Sequence, residues 1–344
     1  MARRSMTDRP SFIKHWRDVV GQDDASYPGS DELLSVGAPL GRATGLTRIG
    51  VHYERLPPGR RTSWPHAESD EEEFVFVVEG CPQVWIDGEL FAVYPGTAVG
   101  FPAGTGLAHT FINDSDDEVV LLVVGEASKP SNRIHYPLHP KRNAELGAGH
   151  WHDAPARDLG PHDGLPAAVR ELRARAPDAP LAIEFMGRRH HFYADAVHSH
   201  GVHVRAEELQ ALARMPRLAR LSLQTTDVTD DVLRVVGALT GLSSLDLSAT
   251  EITDAGLVHL APLAKLEHLR LKETRIGDQG IAWLAAHLPR LKTLQLRGTS
   301  ITARALSELG RMTALEQVVL SGDALPVDAV ARLREQRPQC EIVT

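Results

Sequence analysis

The sequence predicts two domains, an all-β barrel followed by an α/β solenoid. Three observations predict this. Short strand-like runs separated by turn dipeptides fill residues 46–128. One pattern then recurs through Leu221, Leu245, Leu269, Leu294 and Val318, at spacings of 24, 24, 25 and 24 residues. Across residues 129–166, between the two, regular patterning stops. A chain of 344 residues has room for both parts, at about 150 residues per domain. The expected boundaries are an N-terminal arm over 1–45, a barrel core over 46–128, and a barrel-packing tail and linker over 129–164. A divergent repeat cap follows over 165–216, then repeats with a C-terminal capping strand over 217–344.

Residues 1–30 are polar and irregular, but Phe12, Ile13 and Trp16 are spaced to form a small apolar patch on an arm laid against the barrel. Residues 46–56 alternate through Thr47, Ile49, Val51 and Tyr53 and read as the first barrel strand. Pro57, Pro58 and Gly59 end it. Phe74 to Val78 is a continuous apolar run, the kind that forms a fully buried strand. Residues 84–86 and 89–93 flank Asp87-Gly88, which supplies the positive φ angles of a two-residue hairpin turn. Residues 119–124 form another buried strand. Residues 167–175 read as a helix that Pro177 and Pro180 stop.

The repeats, such as LARLSLQTTDVTDDVL and LSSLDLSATEITDAGL, have the period and L-x-x-L-x-L pattern of leucine-rich repeats. Each unit would be a short strand, a turn and a helix. Thr226, Thr250, Thr274 and Thr299 stand where that repeat often has Asn, and a hydroxyl can still bond the turn backbone. Residues 180–185 followed by 205–215 look like a divergent first strand and helix, and residues 340–343 like a last capping strand. Outward strand positions include Ser222, Gln224, Asp246, Ser248, Arg270, Lys272, Gln295 and Arg297. They would line a concave face, the surface solenoids use for binding. Arg270, Lys272, Gln295 and Arg297 are the candidate partner-binding residues, with a protein as the expected partner.

Composition excludes several classes. A net charge of −8 argues against a nucleic-acid partner, which calls for a basic stripe. No apolar run approaches the 18 or so residues of a membrane span, and the basic N-terminus lacks the apolar segment of a signal peptide. Two cysteines, Cys81 and Cys340, allow no disulfide framework, so a reducing cytoplasm is the expected location. Cys81 is read as a buried, inert thiol.

The chemistry concentrates in residues 59–113. His66 and His109 each adjoin a strand-like run, and carboxylates lie between them at Glu68, Asp70, Glu71, Glu72 and Glu73. Glu73, Val75 and Val77 would share one strand face, and His109 would share another with Phe111. Two such strands in a closed barrel could bring imidazole and carboxylate to one point. Nitrogen and oxygen donors of this kind suit a divalent transition metal.

This stretch resembles the two motifs of the cupin superfamily. The first motif ends in Glu73, six residues and Gly80, with His66 at its first histidine and Glu68 in place of the second. Gly59 stands one residue further upstream than the pattern asks. In the second motif Gly96, Pro102, Gly104, His109 and Asn113 match, with four residues rather than two before the histidine. The text around Trp16 and the run NRIHYP at 132–137 also look like a group of bacterial single-domain cupins. The resemblance covers roughly the first 150 residues. It implies a double-stranded β-helix, or jelly-roll, barrel. It also implies that His66, Glu73 and His109, with Glu68 as a fourth, hold a divalent metal ion. Mn, Fe and Zn all fit such donors. It further implies a small-molecule ligand in the barrel, dioxygenase or isomerase chemistry, and a homodimer through the cupin domain.

Two functions stay open. In the first, the chain is a metalloenzyme, with Glu68 as general base if it is not a ligand. In the second, the cupin only senses or stores a metal or small ligand, and the repeats dock a partner. A further set, His190, His191, His198, His200 and His203, is read as coincidence in a divergent cap.

Overall fold

A computed structural model describes residues 10–199, 201–322 and 325–344. The chain divides into two compact units, residues 1–182 and 183–344.

The first unit is a β-sandwich. One antiparallel sheet has the order Val36–Ala38, Ile49–Leu56, Val119–Glu126, Glu73–Glu79, Ala98–Phe101. The other has the order Arg60–Arg61, His109–Asn113, Gln83–Ile86, Glu89–Ala92. The strand period of two decides which residues face inward. Leu56, Val75, Val77, Val119 and Leu121 from the first sheet meet Val84 and Phe111 from the second in one core. Burial of these side chains contributes on the order of 1.5–3 kcal/mol each. The Asp87-Gly88 turn forms as expected, with φ of 48° and 92°. Gly88 is required twice over there. A Cβ on it would stand 2.3 Å from the amide nitrogen of Gly160.

Several expectations change. The run Phe74 to Val78 is not fully buried, because Phe74 and Val78 alternate to the outer face, 43% and 37% exposed. The five-stranded sheet has no layer over those two side chains, so period two governs rather than the continuous apolar run. Val36–Ala38, inside the expected arm, is an edge strand paired with Ile49–Leu56. Trp16 stacks on Tyr53 at 4.9 Å, while Phe12 and Ile13 are exposed. Cys81 is exposed, not buried, because it lies on the turn just after Gly80, outside both sheets. The segment 165–182, expected within the repeat cap, falls in the first unit. There Ala167 N–H, at the start of the helix Ala167–Arg175, donates to Asp114, and Leu181 N–H donates to Asp31.

The tail covers the outer face of the small sheet. Trp85, Ala67, Ala108 and Ile112 form a second core closed by Leu138 and Trp151, and Trp85 Nε1 donates to His162 O at 2.8 Å. Within the tail, Ile134–His135 pairs with Ala67–Glu68 as a two-stranded ribbon.

The second unit contains a parallel seven-stranded sheet in chain order: Ala196–His198, Arg220–Ser222, Ser244–Asp246, His268–Arg270, Thr293–Gln295, Gln317–Val319 and Glu341–Val343. Leu221, Leu245, Leu269, Leu294, Val318 and Ile342 stand in register across it. The four threonine hydroxyls each donate to the carbonyl three residues back, from Thr226 to Leu223 at 2.6 Å through Thr299 to Leu296 at 2.6 Å. Ala182–Phe185 is not the first strand of this sheet. It turns back through Met186 (φ 50°) and Gly187 (φ 72°) into a hairpin with Arg188–His191, and the sheet begins at Ala196–His198. Asp246 and Ser248 do not line an open face. Both are buried, Asp246 accepts from Ser248 N–H at 3.0 Å, and Arg270 lies over Asp246 at 3.5 Å.

Candidate functional site

The strand Glu73–Glu79 belongs to one sheet and His109–Asn113 to the other, and the sandwich brings Glu73 and His109 together inside it. His109 Nε2 lies 3.2 Å from Glu73 Oε1. Phe101, paired with Glu73 across the sheet, stacks on the His109 ring at 3.5 Å between centroids. That stack limits the ring's rotation and keeps water from one face. His66 reaches the same place through a backbone bridge to His109, and its ring centroid stands 5.3 Å from that of His109.

The hydrogen bonds orient both rings. His66 Nδ1 lies 2.9 Å from Trp64 O, so that nitrogen carries the proton and Nε2 keeps its lone pair. Burial, then the nearby His109, pull the His66 pKa down to about 4. The ring is therefore neutral at pH 7, the form that ligates metals. His109 lies between two acceptors, Glu73 Oε1 at 3.2 Å and Leu107 O at a long 3.4 Å. A neutral imidazole can donate to only one of them. A proton or a cation at Nε2 would satisfy the carboxylate as well.

The carboxylates differ from one another. Burial acts to raise Glu73, but the His109 hydrogen bond and the neighbouring imidazoles outweigh it and hold the group below the ordinary carboxylate range. Glu68 goes the other way. Burial and then the charges of Glu71 and Glu73 push it up to about 7. It sits on the ribbon strand Ala67–Glu68, close enough to His109 and Glu73 for their charges to act on it. A carboxyl near pH 7 is suited to hold or release a proton at neutral pH.

His66, Glu73 and His109 are therefore gathered in one place, with Glu68 beside them. Among the described residues, no three His, Cys, Asp or Glu side chains already converge on a single point for an ion. The donors fit a divalent metal in chemistry, with two imidazoles, one neutral and lone-pair-bearing, and an ionised carboxylate in contact with the other. Of the second histidine set, His191 is buried in the hairpin strand, His198 lies on the first strand of the parallel sheet, and His203 pairs with Asp227 at 2.8 Å. His200 lies outside the described residues.

Sequence reasoning missed His52 and Glu54. Both lie on Ile49–Leu56, opposite Val123 and Leu121, and face the interior. Burial raises the Glu54 carboxyl, against a hydrogen bond from the Ser35 hydroxyl and the charge of His52. The signal was present as alternation, His52, Glu54, Leu56, but no motif marks it.

Comparisons with known proteins bear on the first unit. The cupin domain family model matches residues 52–125. A sugar phosphate isomerase from a cupin superfamily, from Silicibacter pomeroyi, is 32% identical, over 36% of this chain and 81% of that one, with a TM-score of 0.33. The cupin domain of an XRE family transcriptional regulator from Enterobacter cloacae is 27% identical, over 24% and 83%, with a TM-score of 0.21. A polyketide cyclase from Streptomyces resistomycificus is 22% identical, over 43% and 96%, with a TM-score of 0.30. These scores, all below 0.5, decide nothing about activity. No curated protein matches the chain. No helix among the described residues is long and apolar enough to cross a membrane. The sandwich, the placement of His66, Glu73 and His109, and the match over residues 52–125 lead to one assignment: through this domain the chain belongs to the cupin superfamily.

Proposed function

We propose that the cupin domain binds one divalent metal ion through His66, Glu73 and His109, and acts there on a small oxygen-bearing molecule. The observation that carries this reading is His109 Nε2 at 3.2 Å from Glu73 Oε1, next to the neutral, lone-pair-bearing His66. A bound ion would supply Lewis acidity toward a ligand oxygen. The chain's own residues do the rest. Trp64 O and Leu107 O orient the two imidazoles. Phe101 screens His109 from water. Glu68, with a pKa near 7, takes or returns a proton on the ligand. His52 and Glu54 add polar side chains on the inward face of the strand Ile49–Leu56. Isomerisation of a sugar-like compound is the reaction class favoured, since it needs a carbonyl or hydroxyl oxygen and one mobile proton.

For the second unit we infer a leucine-rich-repeat array that docks a protein partner. Its support is the 24-residue recurrence together with the threonine hydroxyl bond repeated at four turns. The proposed contact surface carries Arg270, Lys272 and Arg297, all exposed, with half-buried Gln295 among them. Asp246 at 3.5 Å from Arg270 and Glu273 at 3.1 Å from Lys272 soften the positive charge there.

The test is metal content of the untagged protein by elemental mass spectrometry, beside the double variant H66A/H109A. The parent is expected to carry about one equivalent of metal more than the variant. Equal metal in both proteins, or none in the parent, overturns the proposed centre. Metal without turnover of any sugar-like compound would leave a binding module in place of an enzyme.

A further inference from the structure

Three more histidines gather beside the ribbon that carries His66 and Glu68. His135 is opposite Ala67 in the pairing of Ile134–His135 with Ala67–Glu68, so it shares Ala67's face. His66 and Glu68 flank Ala67 and face the other way. A backbone bridge joins Ile134 to His150, and Trp151 N–H donates to Ile134 O at 3.0 Å. The backbone at His150 is extended (φ −78°, ψ 135°). Two adjacent segments thus present three imidazoles side by side.

The contacts run in a chain. His135 Nδ1 lies 3.3 Å from His150 Nε2, and the His150 and His152 ring centroids are 4.3 Å apart. Burial lowers the pKa of His135, with His150 adding to the effect. Burial and His152 act in the same direction on His150. Two nitrogens bound to one tetrahedral zinc at about 2.0–2.1 Å stand roughly 3.3–3.4 Å apart. The His135–His150 separation already has that value. His135 also lines a cavity of about 280 Å³ with Asp87, Pro155 and Arg157.

We propose that His135, His150 and His152 form a second transition-metal site, separate from the cupin centre, taking a borderline ion such as Zn(II). His135 and His150 supply two donors at their present spacing. His152 supplies the third when its exposed ring turns toward them, since the three do not yet converge on one point. Water or a small anion would complete the four ligands. An ion there would clamp the tail at residues 150–152 to the ribbon, and so to the outer face of the small sheet.

The experiment titrates Zn(II) into full-length, untagged H66A/H109A protein against a chelating indicator, so the cupin centre cannot contribute. This protein is expected to bind one Zn(II) and to melt at a higher temperature with Zn(II) than without. Adding H150A and H152A is expected to weaken binding at least about tenfold and to abolish the thermal shift. A single H152A change, at an exposed position, serves if the quadruple variant does not fold, and it should also weaken binding. Absence of Zn(II) binding by H66A/H109A overturns the proposal. So does affinity that H150A and H152A leave unchanged, which would move the ion to the histidines of the second unit.

Discussion

Glu73 and His109 come from opposite sheets and meet at 3.2 Å, so the candidate centre straddles the two sheets of the sandwich. Glu73→Gln keeps the size of the side chain and removes its charge. The variant should fold, with a far-UV spectrum like the parent, and should bind Zn(II) or Mn(II) at least about tenfold more weakly in a chelator competition. Undiminished affinity would remove Glu73 from the ligand set.

Glu54 places a carboxyl in the sandwich interior. Burial raises its folded pKa above the unfolded value, so its contribution to stability is present at low pH and is lost as pH rises. Glu54→Gln should therefore raise the melting temperature at pH 8, with little change at pH 4. Metal content should be the same as in the parent, because Glu54 is not a ligand. A lower melting temperature at pH 8 would contradict this account.

His139 gives the opposite pH dependence. Burial, then the charge of Arg61, lower its folded pKa to about 4, and it stacks on Trp64 at 4.1 Å. The unfolded chain, with His near 6.5, takes up its proton first as pH falls. Stability is thus full above about 6.5 and is lost between there and about 4. In His139→Phe, which can keep the stack, melting temperature should fall less steeply across that window. Parallel curves would show that His139 is not responsible.

Arg61 and Glu32 form a buried ion pair at 2.7 Å, 1% and 7% exposed at their side chains. Arg61 Nη1 also donates to Gly164 O, and Trp64 Nε1 donates to Glu32. Arg61→Met leaves the carboxylate unpaired and should cost about 3–5 kcal/mol in urea unfolding. A paired Arg61→Met, Glu32→Leu change should recover part of that loss. If the single variant is as stable as the parent, the pair is not load-carrying.

In the second unit one backbone position repeats in the left-handed region. Thr225, Ala249 and Glu273 have φ of 60°, 55° and 56°, and Gly298 occupies the corresponding place at 76°. A Cβ there costs roughly 1–2 kcal/mol. Ala249→Gly should stabilise this unit by about 1 kcal/mol, and Gly298→Ala should destabilise it similarly, both read by urea unfolding. The opposite signs would show that packing at the turn outweighs backbone strain.

Much of this was legible in the chain itself. Strand period two placed Glu73 with Val75 and Val77, Asp87-Gly88 marked its hairpin, and the spacing of Leu221 to Val318 set the register of the parallel strands, because these are local properties of backbone and side-chain alternation. His66, Glu73 and His109 stood out through the resemblance of residues 59–113 to the two cupin motifs. Tertiary structure decided what depends on distant partners. It set which face of Phe74 and Val78 lies open, the turn of Ala182–Phe185 into a hairpin, and the exposure of Cys81. It also decided the opposite shifts of Glu68 and Glu73, two carboxyls in one acidic run. Burial and electrostatics depend on what surrounds a side chain in space, and sequence distance does not encode that.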